Sequence, residues 1–187
     1  MSFPITTLFA LIAYFISRLV LTSSKQVYIG LFLALVVVSG FIIPSKGITI
    51  LALHASVTSF SIVILIATFF ETSILERHII KIKKGEISAN GKSVEREYNE
   101  IFILIGFGLI GIILSLLSGL LVLGELNIEL IFKIIFTSFA LIIYMLTFLG
   151  VKYAQLKIRY AVRGTILSFT MVLLAYFGNS IILINYI

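Results

Sequence analysis

The chain of 187 residues contains no cysteine and no tryptophan, and it has only two prolines and two histidines. Without cysteine it can form no disulfide bond, no thiolate metal site and no thioether attachment to haem. Without tryptophan it can offer no tryptophan-lined platform for a cofactor. Any cofactor must therefore be held through other side chains.

Charged residues are also scarce, at 12% of the chain, whereas 60% of the residues are hydrophobic and the mean hydropathy is +1.22. That leaves too little polar surface to cover a soluble core of this size. The sequence instead predicts an all-α, polytopic membrane helix bundle that forms a single integral membrane domain over residues 1–187. Six apolar runs each approach the ~20 residues that a helix needs to cross ~30 Å of hydrocarbon. They are residues 3–21, 27–43, 48–70, 101–123, 128–150 and 160–187.

The basic residues are distributed unevenly between these six predicted transmembrane spans. Twelve of the fourteen Lys and Arg residues fall in three alternate connections, and only Lys46 and Lys133 lie on the other side. Cytoplasmic connections of membrane proteins carry an excess of Lys and Arg, so both termini should face outside. The net charge of +6 then reflects orientation and contact with anionic lipid, and no folded basic surface remains for nucleic acid.

The only long polar stretch, residues 71–100, is predicted to form a cytoplasmic helical hairpin between spans three and four. Gly85 should end its first helix, Asn90-Gly91 should form a turn, and Ser93 should cap the second helix. The segment from Gly85 to Ser93 superficially resembles a phosphate-binding loop. However, it has five residues between its glycines where the nucleotide motif has four, and no strand precedes it, so no nucleotide is expected.

No carboxylate lies near the centre of any predicted span. Because intramembrane proton and cation relays use such residues, the sequence disfavours an ion-coupled carrier. Arg18, Glu71 and Lys152 fall at the cytoplasmic ends of spans. His78 lies among the charges of the predicted hairpin, and we expect it to be solvated.

His54 is the one histidine within a predicted span, about two turns from the outer end of span three. Thr58, Ser61 and Thr68 follow it at helical spacing on the same face, which should look inward because lipid would leave these groups unsatisfied. Two interpretations of His54 are open. It can be a neutral imidazole bonded to a neighbouring hydroxyl or carbonyl group, or it can be a ligand of a metal or haem iron near the outer surface.

Span four carries small residues at four-residue spacing, namely Gly111, Ser115 and Gly119. Such a row lets another helix approach closely. The partner can be another helix of the same bundle or the same face of a second copy, and the first is the simpler interpretation.

Three segments occur in a characteristic order: Leu51-Ala-Leu-His54-Ala-Ser-Val-Thr-Ser-Phe60, Leu114-Ser-Leu-Leu-Ser-Gly119, and Tyr160-Ala-Val-Arg163-Gly164-Thr165 followed by Leu174-Ala-Tyr176-Phe177-Gly178. In these segments the chain resembles the cytochrome c assembly superfamily of haem-handling membrane proteins (CcsA, CcmC and HemX types). It looks closest to their YpjD-like inner-membrane branch. The resemblance covers roughly residues 48 to 182.

The resemblance implies a non-enzymatic membrane factor of a bacterial-type inner (plasma) membrane, with His54 as an axial ligand of haem and with other membrane proteins of a haem or cytochrome assembly pathway as partners. The haem-handling relatives also carry a tryptophan-rich outer segment and a partner histidine, and this sequence has neither. The alternative is therefore a non-catalytic subunit or scaffold that keeps the bundle and has lost cofactor binding.

Overall fold

The computed structural model describes residues 3–20, 26–42, 50–85, 94–121, 128–154 and 156–175, and six helices account for nearly all of them. The helices are α1 (Phe3–Val20), α2 (Gln26–Ile42), α3 (Ile50–Lys83), α4 (Val94–Leu121), α5 (Ile128–Tyr153) and α6 (Ile158–Leu173). No strand occurs within these ranges, so the predicted all-α class is confirmed. The predicted Asn90-Gly91 turn, the Ser93 cap and the Tyr176-Phe177-Gly178 stretch lie outside the described residues.

Three of the helices are long and apolar enough to cross a membrane, through the segments Ala52–Lys83, Val94–Leu121 and Leu130–Tyr153. Shorter apolar segments, Thr7–Leu19 and Val27–Val38, occupy α1 and α2. The 34 residues of α3 extend about 50 Å at the rise of an α-helix, which is well beyond the ~30 Å of a hydrocarbon layer. Helix α3 can therefore cross a bilayer and still project from it.

The interior of the bundle contains hydroxyl side chains as well as apolar ones, and its outside carries large apolar side chains. Apart from tyrosine, the buried polar residues in the described ranges are all Ser or Thr. Outward-facing positions hold large apolar residues such as Phe32, Ile110 and Leu146, each more than half exposed. Such a surface is compatible with contact to lipid, where hydroxyl groups need partners and aliphatic side chains do not.

Helix α3 lies at the centre and packs against α1, α2, α4 and α6. Consecutive helices also pair, α1 with α2, α3 with α4 and α5 with α6. Two apolar clusters result. One contains Leu65, Ile105 and Tyr144 and joins α3 to α4, α5 and α6. The other contains Tyr14, Leu31 and Val63 and joins α3 to α1 and α2.

Local sequence signals explain two of the helix ends. Helix α3 ends at Lys83 with basic residues in its last turn, and Gly85 follows at a φ of +80°, a conformation that favours glycine. The connection between α5 and α6 is short, and its backbone amides at Ala154 and Leu156 both donate to the carbonyl oxygen of Gly150, at 3.1 and 3.0 Å. This corner fixes where α6 begins.

Candidate functional site

The residues that the sequence singles out meet at the contact between α3 and α4, which we call the α3–α4 seam and which comprises His54, Thr58 and Ser61 of α3 with Gly111, Ser115, Ser118 and Gly119 of α4. The two helices run antiparallel, so His54 lies at Gly119, Thr58 at Ser115 and Ser61 at Gly111. The structure thus places the small-residue row of α4 against α3 of the same chain.

Glycine is needed at two points of the seam. A Cβ atom at Gly111 would lie 2.9 Å from Ser61 Oγ, and one at Gly119 would lie 3.2 Å from Cε1 of His54. Both distances are shorter than ordinary contacts, so the Ser61 and His54 side chains would have to shift to admit a larger residue. The hydrogen bonds across the seam depend on this close approach.

The imidazole of His54 is held in one orientation by Ser118. The Ser118 hydroxyl donates to the carbonyl oxygen of Ser115 at 3.1 Å. The same hydroxyl oxygen lies 2.9 Å from His54 Nδ1, and the direction of this second bond follows the tautomer of the imidazole. When Nδ1 donates, the lone pair of the neutral ring is on Nε2, as in a histidine that binds a metal.

The deeper part of the seam is closed. Thr58 Oγ1 and Ser115 Oγ are 2.8 Å apart, and Ser61 donates to the carbonyl oxygen of Val57 at 2.7 Å. The cavity beside them, which Thr137 of α5 also lines, measures about 10 Å³ and has room for about one water molecule. A group as large as haem does not fit there, so any such ligand of His54 must approach it from the surface of the bundle.

A metal site of several protein ligands is not formed in the described ranges, where no three His, Cys, Asp or Glu side chains come together. His54 therefore belongs to no such group of three. The residue is only partly buried.

A second polar cluster, which the sequence analysis did not identify, lies towards the other end of α3. Nε and one terminal nitrogen of Arg18 contact the two carboxylate oxygens of Glu71, at 2.7 and 3.3 Å. The Tyr14 hydroxyl donates to the same carboxylate at 3.2 Å. A cavity of about 40 Å³ adjoins the pair and is also lined by Glu97 and Glu100 of α4. This cluster ties α1 to α3, and α4 lines the cavity beside it.

The expectation that His78 is solvated is wrong. Its side chain is only 11% exposed, and its Nδ1 lies 2.7 Å from a carboxylate oxygen of Glu97. Its Nε2 is buried without a hydrogen-bond partner in the described part of the chain. The reason is that α3 and α4 stay paired beyond their apolar segments and cover the face between them. The sequence contained one indication of this burial. Glu71 and His78 are seven residues apart, which places them on the same face of a helix.

Comparisons of the chain with protein-family models, with curated proteins and with solved structures find no match.

Proposed function

We propose that the chain is a multi-pass protein of a bacterial-type inner membrane, with six spans and both termini outside. The biased distribution of Lys and Arg supports this orientation. The outward-facing aliphatic side chains and internally bonded hydroxyl groups support embedding in lipid. In this arrangement the His54 end of α3 is outside, and residues 71–100 project into the cytoplasm.

The orientation can be tested with single cysteines, since the natural chain has none to label. Ser45→Cys and Asn90→Cys, placed in two connections, are expected to react with a membrane-impermeant maleimide from opposite sides of sealed vesicles. After detergent permeabilisation both should react equally, which controls for reactivity. Labelling of both cysteines from the same side would refute the arrangement.

We further propose that the protein handles haem at its outer face, as a factor of the cytochrome c assembly type. The observation that carries this proposal is the hydrogen bond between Ser118 and His54 Nδ1, which orients a partly buried histidine and leaves its Nε2 for iron. A bound haem would supply an iron porphyrin that can be passed to an acceptor protein. No catalytic turnover is proposed.

The roles of the protein residues follow from the seam. His54 would bind the iron through Nε2, Ser118 would orient the ring through Nδ1, and Gly119 leaves the ring room beside α4. His78 cannot be the second axial ligand of the same iron, because it lies 24 residues along α3, about 36 Å away. Binding by one chain should therefore be weak, with the other axial position left to water or to a partner protein.

The test is the Soret absorption of the protein purified in mild detergent after growth with a haem precursor. We expect a haem spectrum that His54→Ala abolishes and that Ser118→Ala weakens, since loss of such a supporting bond typically costs about 10- to 100-fold in affinity. Ser56→Ala is the matched control, because within the described ranges the Ser56 hydroxyl bonds the carbonyl group of Ala52 in its own helix. It should leave the spectrum unchanged.

Two results would contradict this proposal. A colourless protein, even after co-expression with neighbouring membrane proteins, would exclude haem handling. A bis-histidine spectrum from the isolated monomer would be incompatible with the separation of His54 and His78.

The second candidate is a non-catalytic subunit or scaffold that has the same bundle and no cofactor. It is favoured by the closed interior of the seam, whose adjoining cavity is about 10 Å³. Since α3 already covers the small-residue face of α4, a partner of such a scaffold would pack on outward apolar faces, for example along Phe107, Ile110 and Leu114 of α4.

A further inference from the structure

A groove of about 840 Å³ opens at the end of the bundle where α3 and α5 finish and where α4 and α6 begin. We call it the basic groove and define it by Lys83, Lys152, Lys157 and Arg159, with Tyr98 and Tyr160. It is remote from His54, near the opposite end of α3, and neither the haem proposal nor the seam uses it. Its volume lies within the range of small-molecule sites, about 300–1,000 Å³.

The charge of the basic groove is strongly one-sided. Four cationic side chains line it, and Glu76 is the one carboxylate among its lining residues. The four cations are all exposed. They come from four places in the chain, which are the end of α3, the end of α5, the corner before α6 and the first turn of α6. Together they form a site for an anion rather than a row along one helix face.

The floor of the groove is apolar. It includes Ile79, Val151 and Leu156, and the Tyr98 hydroxyl closes one wall by donating to the carbonyl oxygen of Val151 at 3.4 Å. Tyr160 lines the groove and Tyr153 lies close by in the chain, 46% and 71% exposed respectively. Tyrosines with an apolar body and a polar tip are typical of the level where lipid headgroups meet hydrocarbon.

The groove also continues into the lipid-facing surface of the bundle. Leu146 and Leu149 of α5 precede its α5 wall, and Ile166 of α6 follows its α6 wall, and all three are exposed. An occupant with an anionic head and long apolar chains would contact both the cations of the groove and the apolar surface that continues from it. A small soluble anion would satisfy the cations and leave the apolar floor in water.

We infer that the basic groove binds the headgroup of an anionic phospholipid, with the acyl chains lying along α5 and α6. This inference rests on the membrane embedding and orientation proposed above, which put the groove at the cytoplasmic face. Basic pockets between transmembrane helices on that side are known to suit anionic headgroups. The cations hold the phosphate, and the apolar floor receives the glycerol region.

The test compares two triple variants of the full chain in detergent. Lys152→Gln/Lys157→Gln/Arg159→Gln removes three cations of the groove. Arg77→Gln/Lys81→Gln/Lys84→Gln removes three exposed cations of the α3 end that do not line it. Both lose the same charge at the same end of the bundle. The affinity for phosphatidylglycerol is obtained from the rise in melting temperature with lipid concentration, with phosphatidylcholine as the neutral reference.

We expect the groove variant to bind phosphatidylglycerol about tenfold or more weakly than the natural chain, and the control variant to change by about twofold or less. Equal losses in the two variants would overturn the inference in favour of diffuse surface attraction. Stabilisation by inorganic phosphate equal to that by phosphatidylglycerol would also overturn it, because the occupant would then be a soluble anion. Far-ultraviolet circular dichroism establishes that both variants are folded.

Failure of the lipid-site inference and failure of the membrane proposal would give different experimental results. A chain that stays in the membrane after alkaline carbonate washing, yet shows no difference between the variants, lacks the lipid site only. A chain that carbonate extracts is not embedded, and both proposals then fall. The Soret measurement reports on haem independently of either result.

Discussion

Glu71→Leu is expected to destabilise the bundle by about 3 kcal/mol. The carboxylate accepts two hydrogen bonds from Arg18 and one from Tyr14, and its side chain is only 12% exposed. Removing one partner of a buried ion pair typically costs about 3–5 kcal/mol, because the other charge keeps its burial and loses its counter-charge. The lower end applies here, since the Arg18 side chain is 26% exposed.

The measurement is the free energy of unfolding in mixed micelles titrated with SDS. The matched control is Glu95→Leu, an exposed carboxylate in the first turn of α4, which should change stability by less than about 1 kcal/mol. The double variant Arg18→Leu/Glu71→Leu should be more stable than Glu71→Leu alone, because an apolar pair has no uncompensated charge. Simple addition of the two single effects would show that the pair does not act as a unit.

Gly108→Ala is expected to cost about 2–3 kcal/mol, which is the upper part of the ~1–3 kcal/mol that is usual for forcing extra volume into a packed core. A Cβ atom there would lie 2.8 Å from Cε1 and Cζ of Tyr144 and closer still to its hydroxyl oxygen. The Tyr144 ring is fully buried between α4 and its neighbours, so it has no free direction in which to move. The change should appear as a lower melting temperature.

Gly106→Ala is the matched control, two residues earlier on the same helix. Its Cβ atom would meet Phe148 at 3.6 Å, an ordinary contact, and alanine is the better helix former by up to about 1 kcal/mol. We therefore expect Gly106→Ala to be neutral or stabilising. Equal melting temperatures for the two alanine variants would contradict the packing of Tyr144 on Gly108.

Tyr144→Phe should partly rescue Gly108→Ala. The Tyr144 hydroxyl is buried and has no hydrogen-bond partner in the described residues, so its removal alone should cost little. It also removes the atom that would contact the new methyl group most closely. The ring carbons remain at 2.8 Å, so the rescue is incomplete.

The sequence was sufficient to predict the helices because hydropathy and helix-end signals depend on residues that are close together in the chain. The apolar runs predicted all six helices, and the basic residues with Gly85 predicted that α3 continues to its observed end at Lys83. Helix α6 begins at Ile158, two residues before the predicted span, because the hydrogen-bonded corner at Gly150 turns the chain early. Apolar content alone does not predict such a corner.

The contacts between helices were less accessible from the sequence. Helical spacing grouped His54, Thr58 and Ser61 on one face and Gly111, Ser115 and Gly119 on another, but it could not show that these two faces meet. The Arg18 to Glu71 pair joins residues 53 positions apart, and the His78 to Glu97 bond joins α3 to α4 across 19 positions. Such pairings depend on how the helices are arranged around α3, and no periodicity encodes that arrangement.

The pairing of helices in chain order has a consequence for how the protein assembles during translation. Each helix can meet its first partner as soon as the next one has been synthesised, and few contacts must wait for distant segments. The ion pair between α1 and α3 can close before translation reaches the seam of α4, and α6 then docks last against α3 and α5. The order of synthesis is thus also an order of assembly, with α3 as the helix on which α4 and α6 are placed.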